Sequence, residues 1–252
     1  MTRNLTFRDV ARIGAMGLIA ALFGGCAAPS RAPVDYAGLV AAADRESADR
    51  LIDPRRKQPQ LIAFTGVAPG MRVLDMGAGG GYTTELLARA VGPGGKVYAQ
   101  DSKETIARVR ERFDGRMNKP VMASVDRIVR DFDDPLPPGT AGLDLITFFF
   151  AYHDTGFLPV DRARMNRALF AALKPGGMLV VADHAAANGT GIGVAKSLHR
   201  IEEALLRREI ENAGFRLIEE GRFLRNLDDP RDEIVFRAKV PVDEFVLKFV
   251  RP

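Results

Sequence analysis

The chain has 252 residues, 46% hydrophobic and 27% charged, a mix that supports a buried core and excludes a disordered or low-complexity protein. Its formal charge is +4, and residues 1–25 carry half of that excess, so the remainder is too weakly basic to favour a nucleic-acid partner. A single cysteine excludes an internal disulfide.

Residues 1–26 read as a signal peptide: a basic stretch through Arg12, the apolar run "IGAMGLIAALFGG" from Ile13, then Cys26. That run is too short to cross a bilayer of about 30 Å as a helix. "LFGGC" resembles the lipobox of bacterial lipoproteins, with Phe23 where an aliphatic residue is usual. The resemblance implies a lipidated Cys26 and a membrane-anchored protein of the cell envelope facing the periplasm. A cytoplasmic protein with an incidental cysteine is the alternative. Residues 27–34, small and proline-containing, suit a tether, and residues 35–252 are expected to form a single domain.

That domain opens with a helical, charged pattern from Ala37 to Arg56, and Pro54 begins a further helical piece reaching Phe64. "GVAPGMRVLDMG" gives a turn and a first buried strand, Met71 to Met76. The helix "YTTELLARAVG" follows, closed by Gly92. A strand "KVYAQD", a helix from Lys103 to Phe113 and a strand from Val125 to Arg130 come next. "LDLITFFFAY" is a continuous apolar run, as a parallel strand covered on both faces requires. Asp161 caps a helix carrying Met165, Leu169 and Leu173, and "KPGG" turns into the fifth strand, "MLVVADH". After the glycine-rich "AAANGTGIG", Leu198, Ile201, Leu205 and Ile210 share one helical stripe that Gly214 ends. "FRLIEEGRFL" and "VDEFVLKFVRP" then alternate as two strands with no helix between them. Strand and helix in alternation, followed by a terminal antiparallel β hairpin, predict one doubly wound α/β domain.

The stretch "VLDMGAGGGYTTE", Val73 to Glu85, sets four glycines between a strand and a helix. Tyr82 and Thr83 follow Gly81, so the Gly-Lys-Ser/Thr of a phosphate loop is missing, and Tyr82 spoils the third position of a dinucleotide fingerprint. Asp75-x-Gly77-x-Gly79-x-Gly81 resembles the first motif of class I S-adenosylmethionine-dependent methyltransferases. Asp101 lies where that family binds the ribose hydroxyls, Asp131 where it meets the adenine amino group, and Phe132 is placed to cover the ring. "LKPGGMLVVAD" and the two late strands continue the likeness. More narrowly, "FFFAYHDT", "DHAA", "LHRIEE" and "VDEFVLKFVRP" are similar to a group of bacterial predicted methyltransferases. The resemblance implies a Rossmann-like, seven-stranded methyltransferase sheet, S-adenosyl-L-methionine as cofactor, and Asp75, Gly77, Gly79, Gly81, Asp101, Asp131 and Phe132 as its binding residues. It implies methyl transfer to a small molecule and leaves the acceptor unnamed.

Three histidines, all beyond residue 150, sit where strands end: His153 after the fourth, His184 after the fifth, His199 at the start of the next helix. In open α/β sheets ligands bind beyond the carboxyl ends of the strands. His153 is therefore the first choice for a catalytic base, with Asp154 or Tyr152 orienting its ring and His184 and His199 in second place. A second reading makes His153, His184 and His199 metal ligands, with Asp154 or Asp183 completing the set. Three functions follow: a methyltransferase, a cofactor-binding lipoprotein without turnover, or a histidine-ligated metal-dependent enzyme on the same scaffold.

Overall fold

The computed structural model describes Met1 and residues 33–252. The chain divides after Pro33, and the unit from Val34 to Pro252 is described here. Cys26 and the apolar run before it lie outside the described residues. No described helix is long and apolar enough to cross a membrane.

Seven strands form one sheet: β1 (Arg72–Met76), β2 (Lys96–Asp101), β3 (Val125–Val129), β4 (Leu143–Phe149), β5 (Leu173–His184), β6 (Arg216–Gly221) and β7 (Glu244–Val250). Their order across the sheet is β3-β2-β1-β4-β5-β7-β6. The first five are parallel, and β7 runs antiparallel to both of its neighbours. The chain thus reverses direction across the sheet between β1 and β4, which opens a crevice at their carboxyl ends.

Among the described residues, eight α-helices flank the sheet: α1 (Tyr36–Ala41), α2 (Ser47–Ile52), α3 (Gln58–Thr65), α4 (Tyr82–Val91), α5 (Lys103–Met117), α6 (Arg162–Ala172), α7 (Ala195–Leu198) and α8 (Glu203–Glu211). Strand side chains alternate between two cores. Leu74 and Ile146 pack with Met165 of α6 and Leu206 of α8, while Val73 and Leu145 pack with Leu61 of α3 and Leu86 of α4. Burying each such side chain contributes roughly 1.5–3 kcal/mol. Asp161 caps α6 as expected, accepting from the Arg164 N–H at 2.9 Å.

Four expectations are corrected. The helix expected over Ala37 to Arg56 is two short helices, because Arg45 in the turn between them is buried and donates to the Val40 carbonyl at 2.6 Å and to Asp53. Pro54 precedes α3 instead of opening it. The stripe from Leu198 to Ile210 is also split: His199 takes a left-handed backbone, φ 54°, and Ile201 forms an extended bridge with Ala185. Its apolar side chain is buried from that bridge, so periodicity alone mistook it for a helical position. Finally, the two late strands are antiparallel neighbours as expected, but residues 222–243 separate them, and β7 enters between β5 and β6.

Candidate active site

The crevice is a cleft of about 290 Å³, close to the lower end for small-molecule sites. Its floor is the loop after β1, its sides the ends of β2 and β4, and its rim the segment after α2 and one face of α5. Gly77 shows why the loop is glycine-rich. It has φ 64°, and a Cβ there would lie 3.0 Å from that of Ala151 across the cleft. The loop is held from beneath by Gln100, which accepts from the Gly77 N–H at 3.2 Å and donates to the Arg130 carbonyl at 2.7 Å. Behind it, the fully buried Arg116 donates to the Gly80 carbonyl at 2.6 Å, to Glu85 at 2.7 Å and to Asp49 at 2.7 Å.

Asp101 ends β2 inside the cleft, is 1% exposed, and neither of its carboxylate oxygens has a hydrogen-bond partner. Burial pushes its pKa up to about 7. The nearby Gly79 N–H favours the charge without completing a bond, and the Asp75 carboxylate opposes it. An unpartnered carboxyl group in a solvent-reaching cleft is costly unless a ligand supplies its donors.

The cleft also holds a cation that the sequence reading passed over. Arg56 lies with its guanidinium 4.6 Å from the Phe150 ring centre and 5.0 Å from that of Tyr82, and its Nε is buried without a partner. Burial lowers its pKa. Phe150 itself has φ 57°, a conformation that a bulky non-glycine residue holds only under local constraint.

Residues 73–177 match a family model described as a methyltransferase domain. That segment therefore resembles a methyltransferase domain. Over 121 residues it is 30% identical to a ubiquinone/menaquinone biosynthesis C-methyltransferase of Hydrogenovibrio crunogenus, covering 48% of this chain and 44% of that one. The chain therefore spans less than half the length of the curated relatives it matches. A SAM-dependent methyltransferase from Aquifex aeolicus superposes with a TM-score of 0.58 at 21% identity, over 87% of this chain and all of that one. Aeropyrum pernix fibrillarin, solved with S-adenosyl-L-methionine bound, superposes at 0.51 and 18% identity over 76% and 73%. These superpositions establish the seven-stranded fold.

Of the residues expected to hold the cofactor, Gly77, Gly79, Asp101 and Phe132 line the cleft, and Phe132 stacks on Phe148 with ring centres 5.8 Å apart. Three other expected cofactor residues do not. Asp75 lies beneath the loop, 2% exposed, accepting from Thr84 at 2.6 Å and Thr147 at 2.8 Å. Burial, opposed by those two hydroxyls, raises its pKa to about 6. Gly81 packs against Phe113 and Arg116 behind the loop, and the Asp131 side chain is exposed outside the cleft lining. For Asp75 and Asp131 sequence spacing located the right segment and could not tell which way the side chain points.

Beside the cleft, the sequence-expected histidines come together unequally. His153 is 3% exposed. Its Nδ1 lies 2.7 Å from Asp183 Oδ1, and its backbone N–H donates to Asp183 Oδ2 at 2.8 Å. Its Nε2 lies 3.1 Å from Asp154 Oδ1 and 3.2 Å from His199 Nδ1. Burial opposes a charge on this imidazole, but Asp183 and Asp154 outweigh it and raise the pKa to about 10. His199 is driven the other way, by burial and by the charge on His153. The base expected at His153 thus sits between two carboxylates, Asp183 and Asp154, and beside a second imidazole.

Tyr152 is corrected as an orienting group for His153. It is fully buried, donates to Glu209 at 2.9 Å and accepts from Asn166 at 2.8 Å. Burial, reinforced by the Glu209 charge, raises its pKa further. His184 stands outside the cluster formed by His153, Asp154 and His199. Its ring stacks on Phe150 at 5.1 Å, and its Nδ1 faces Glu244 at 3.1 Å, within ion-pairing distance but without hydrogen-bond geometry.

Proposed function

We propose that the protein is an S-adenosylmethionine-dependent methyltransferase of the bacterial cell envelope, acting on a small-molecule acceptor. The observation that carries this reading is Asp101: a buried carboxyl group with two free oxygens, beside a glycine loop at the reversal point of the sheet. Paired ribose hydroxyls are the donors it lacks. Arg56 supplies a cation for the cofactor's carboxylate, and Phe132 an aromatic face for its base. Bound there, S-adenosylmethionine supplies a methyl group activated on a sulfonium.

What the chain itself adds is placement. Methyl transfer is an in-line displacement that needs a positioned nucleophile, and Asp154, which lines the cleft beside His153 and His199, is the polar group nearest that task. The names of the relatives matching this segment support a small-molecule acceptor. The basic-then-apolar start and Cys26 support anchoring in the envelope. Calorimetry of the full chain with S-adenosylmethionine and with S-adenosylhomocysteine tests the cofactor. Binding of both is expected, and binding of neither removes the reading. Binding without methyl transfer to any of a panel of small hydroxyl, amine and ring-carbon acceptors favours a non-catalytic binding protein.

A further inference from the structure

We propose that His153, Asp154 and His199 form a site for one divalent first-row transition-metal ion. The inference stands on this cluster alone and does not depend on what the neighbouring cleft binds.

Three atoms define the site, and they close a triangle. His153 Nε2 to Asp154 Oδ1 is 3.1 Å, His153 Nε2 to His199 Nδ1 is 3.2 Å, and His199 Nδ1 to Asp154 Oδ1 is 3.6 Å. Bonds of about 2.1 Å place neighbouring ligand atoms about 3.4 Å apart around a tetrahedral ion and about 3.0 Å apart around an octahedral one. The sides run from just above the octahedral value to just above the tetrahedral one.

The partners behind the triangle favour an ion within it. Asp183 lies 2.7 Å from His153 Nδ1, so the proton of the neutral ring sits on Nδ1 and the Nε2 lone pair points at Asp154 and His199. A carboxylate on the far nitrogen is the arrangement that orients metal-ligating histidines. Lone pairs converging at these distances repel one another unless a proton or a metal ion lies among them.

His199 is held in place by its flanks. Its left-handed backbone, φ 54°, is followed by Arg200, which is fully buried and donates to the Ala185 carbonyl at 2.9 Å and to Asp229 at 2.7 Å. The Ile201 N–H donates to the His184 carbonyl at 3.0 Å. Strain at a rigidly held side chain is a recurrent feature of binding sites. Two imidazoles and one carboxylate select zinc, iron(II), cobalt(II) or manganese(II) over magnesium or calcium. Because Asp154 also lines the cleft, the ion's remaining positions border it.

The test uses the full chain, purified without a histidine tag and stripped with chelator, then titrated with zinc and with cobalt(II) as a spectroscopic probe. One equivalent should bind, with visible cobalt absorption. His199→Ala and Asp154→Ala should each weaken affinity at least tenfold, and Asp183→Asn by 10- to 100-fold. His184→Ala should leave it unchanged. Circular dichroism and the cofactor titration on the same variants separate a lost metal site from a lost fold. Absence of stoichiometric binding, or binding indifferent to both His199→Ala and Asp154→Ala, overturns the proposal and leaves a cluster held by a shared proton. Metal binding that persists where S-adenosylmethionine fails to bind leaves it standing.

Discussion

Arg116, at the far end of α5, donates from its Nε to the carbonyl of Gly80, 2.6 Å away and 36 positions earlier in the chain. The same guanidinium neutralises Asp49 of α2 and Glu85 of α4, both with fully buried side chains. One cation therefore joins α2 and α4 to the glycine loop. Arg116→Met should destabilise the domain by about 1–3 kcal/mol, since Asp49 and Glu85 lose a fully buried donor and keep only the more exposed Arg112, Arg89 and Lys119. Urea unfolding followed by circular dichroism checks this, and a loss under 1 kcal/mol would refute the clamp.

Asp101 makes stability and binding oppose each other. Its folded pKa of about 7 lies above the ordinary value of 3.8, so the folded state holds a proton that the unfolded state has released. The group costs nothing below about pH 4. The cost grows as pH rises and is complete above about pH 7, where the gap corresponds to about 4 kcal/mol. Asp101→Asn should therefore raise the melting temperature of the ligand-free protein at pH 8 and leave it unchanged near pH 4. The same variant should bind S-adenosylmethionine roughly 10- to 100-fold more weakly, having lost a charged acceptor. Wild-type affinity should rise between pH 6 and 8, with proton release visible as a buffer-dependent heat.

Arg56 carries a more selective expectation. Arg56→Ala should weaken S-adenosylmethionine by about 1.5–3 kcal/mol, the range for a hydrogen bond to a charged group. Methylthioadenosine, which lacks the carboxylate, should bind wild type and variant alike. An equal loss for both ligands would place Arg56 at some other part of the molecule.

Much of this was legible beforehand, because it depends on order along the chain. Alternating strands and helices gave the sheet, and the spacing of Gly77, Gly79 and Asp101 marked the crevice. Direction and long-range pairing were not legible. Asp75 and Asp101 both end strands beside the loop, yet one is tied to two threonines below it and the other is free above. Arg56 and Arg116 are two among many arginines, and only the folded chain shows one between aromatic rings and the other beneath the loop. Likewise His184 and His199 looked equivalent until the turn at His199 brought one of them against Asp154.

Cys26 lies outside the described residues, and its role is tested directly in cells. If it is lipidated, Cys26→Ser should move the protein from the membrane to the soluble fraction and abolish labelling by a clickable fatty acid. Identical fractionation and labelling of the two forms would exclude the lipoprotein reading.

The place of β7 governs the order of assembly during synthesis. Until Glu244–Val250 leaves the ribosome, β6 has nothing to pair with, and β5 presents the row of unpaired amides that later meets β7. An open, apolar edge of that kind recruits strands from other chains. Slow translation through residues 222–243 thus prolongs an aggregation-prone intermediate, and chaperone dependence should concentrate in that interval.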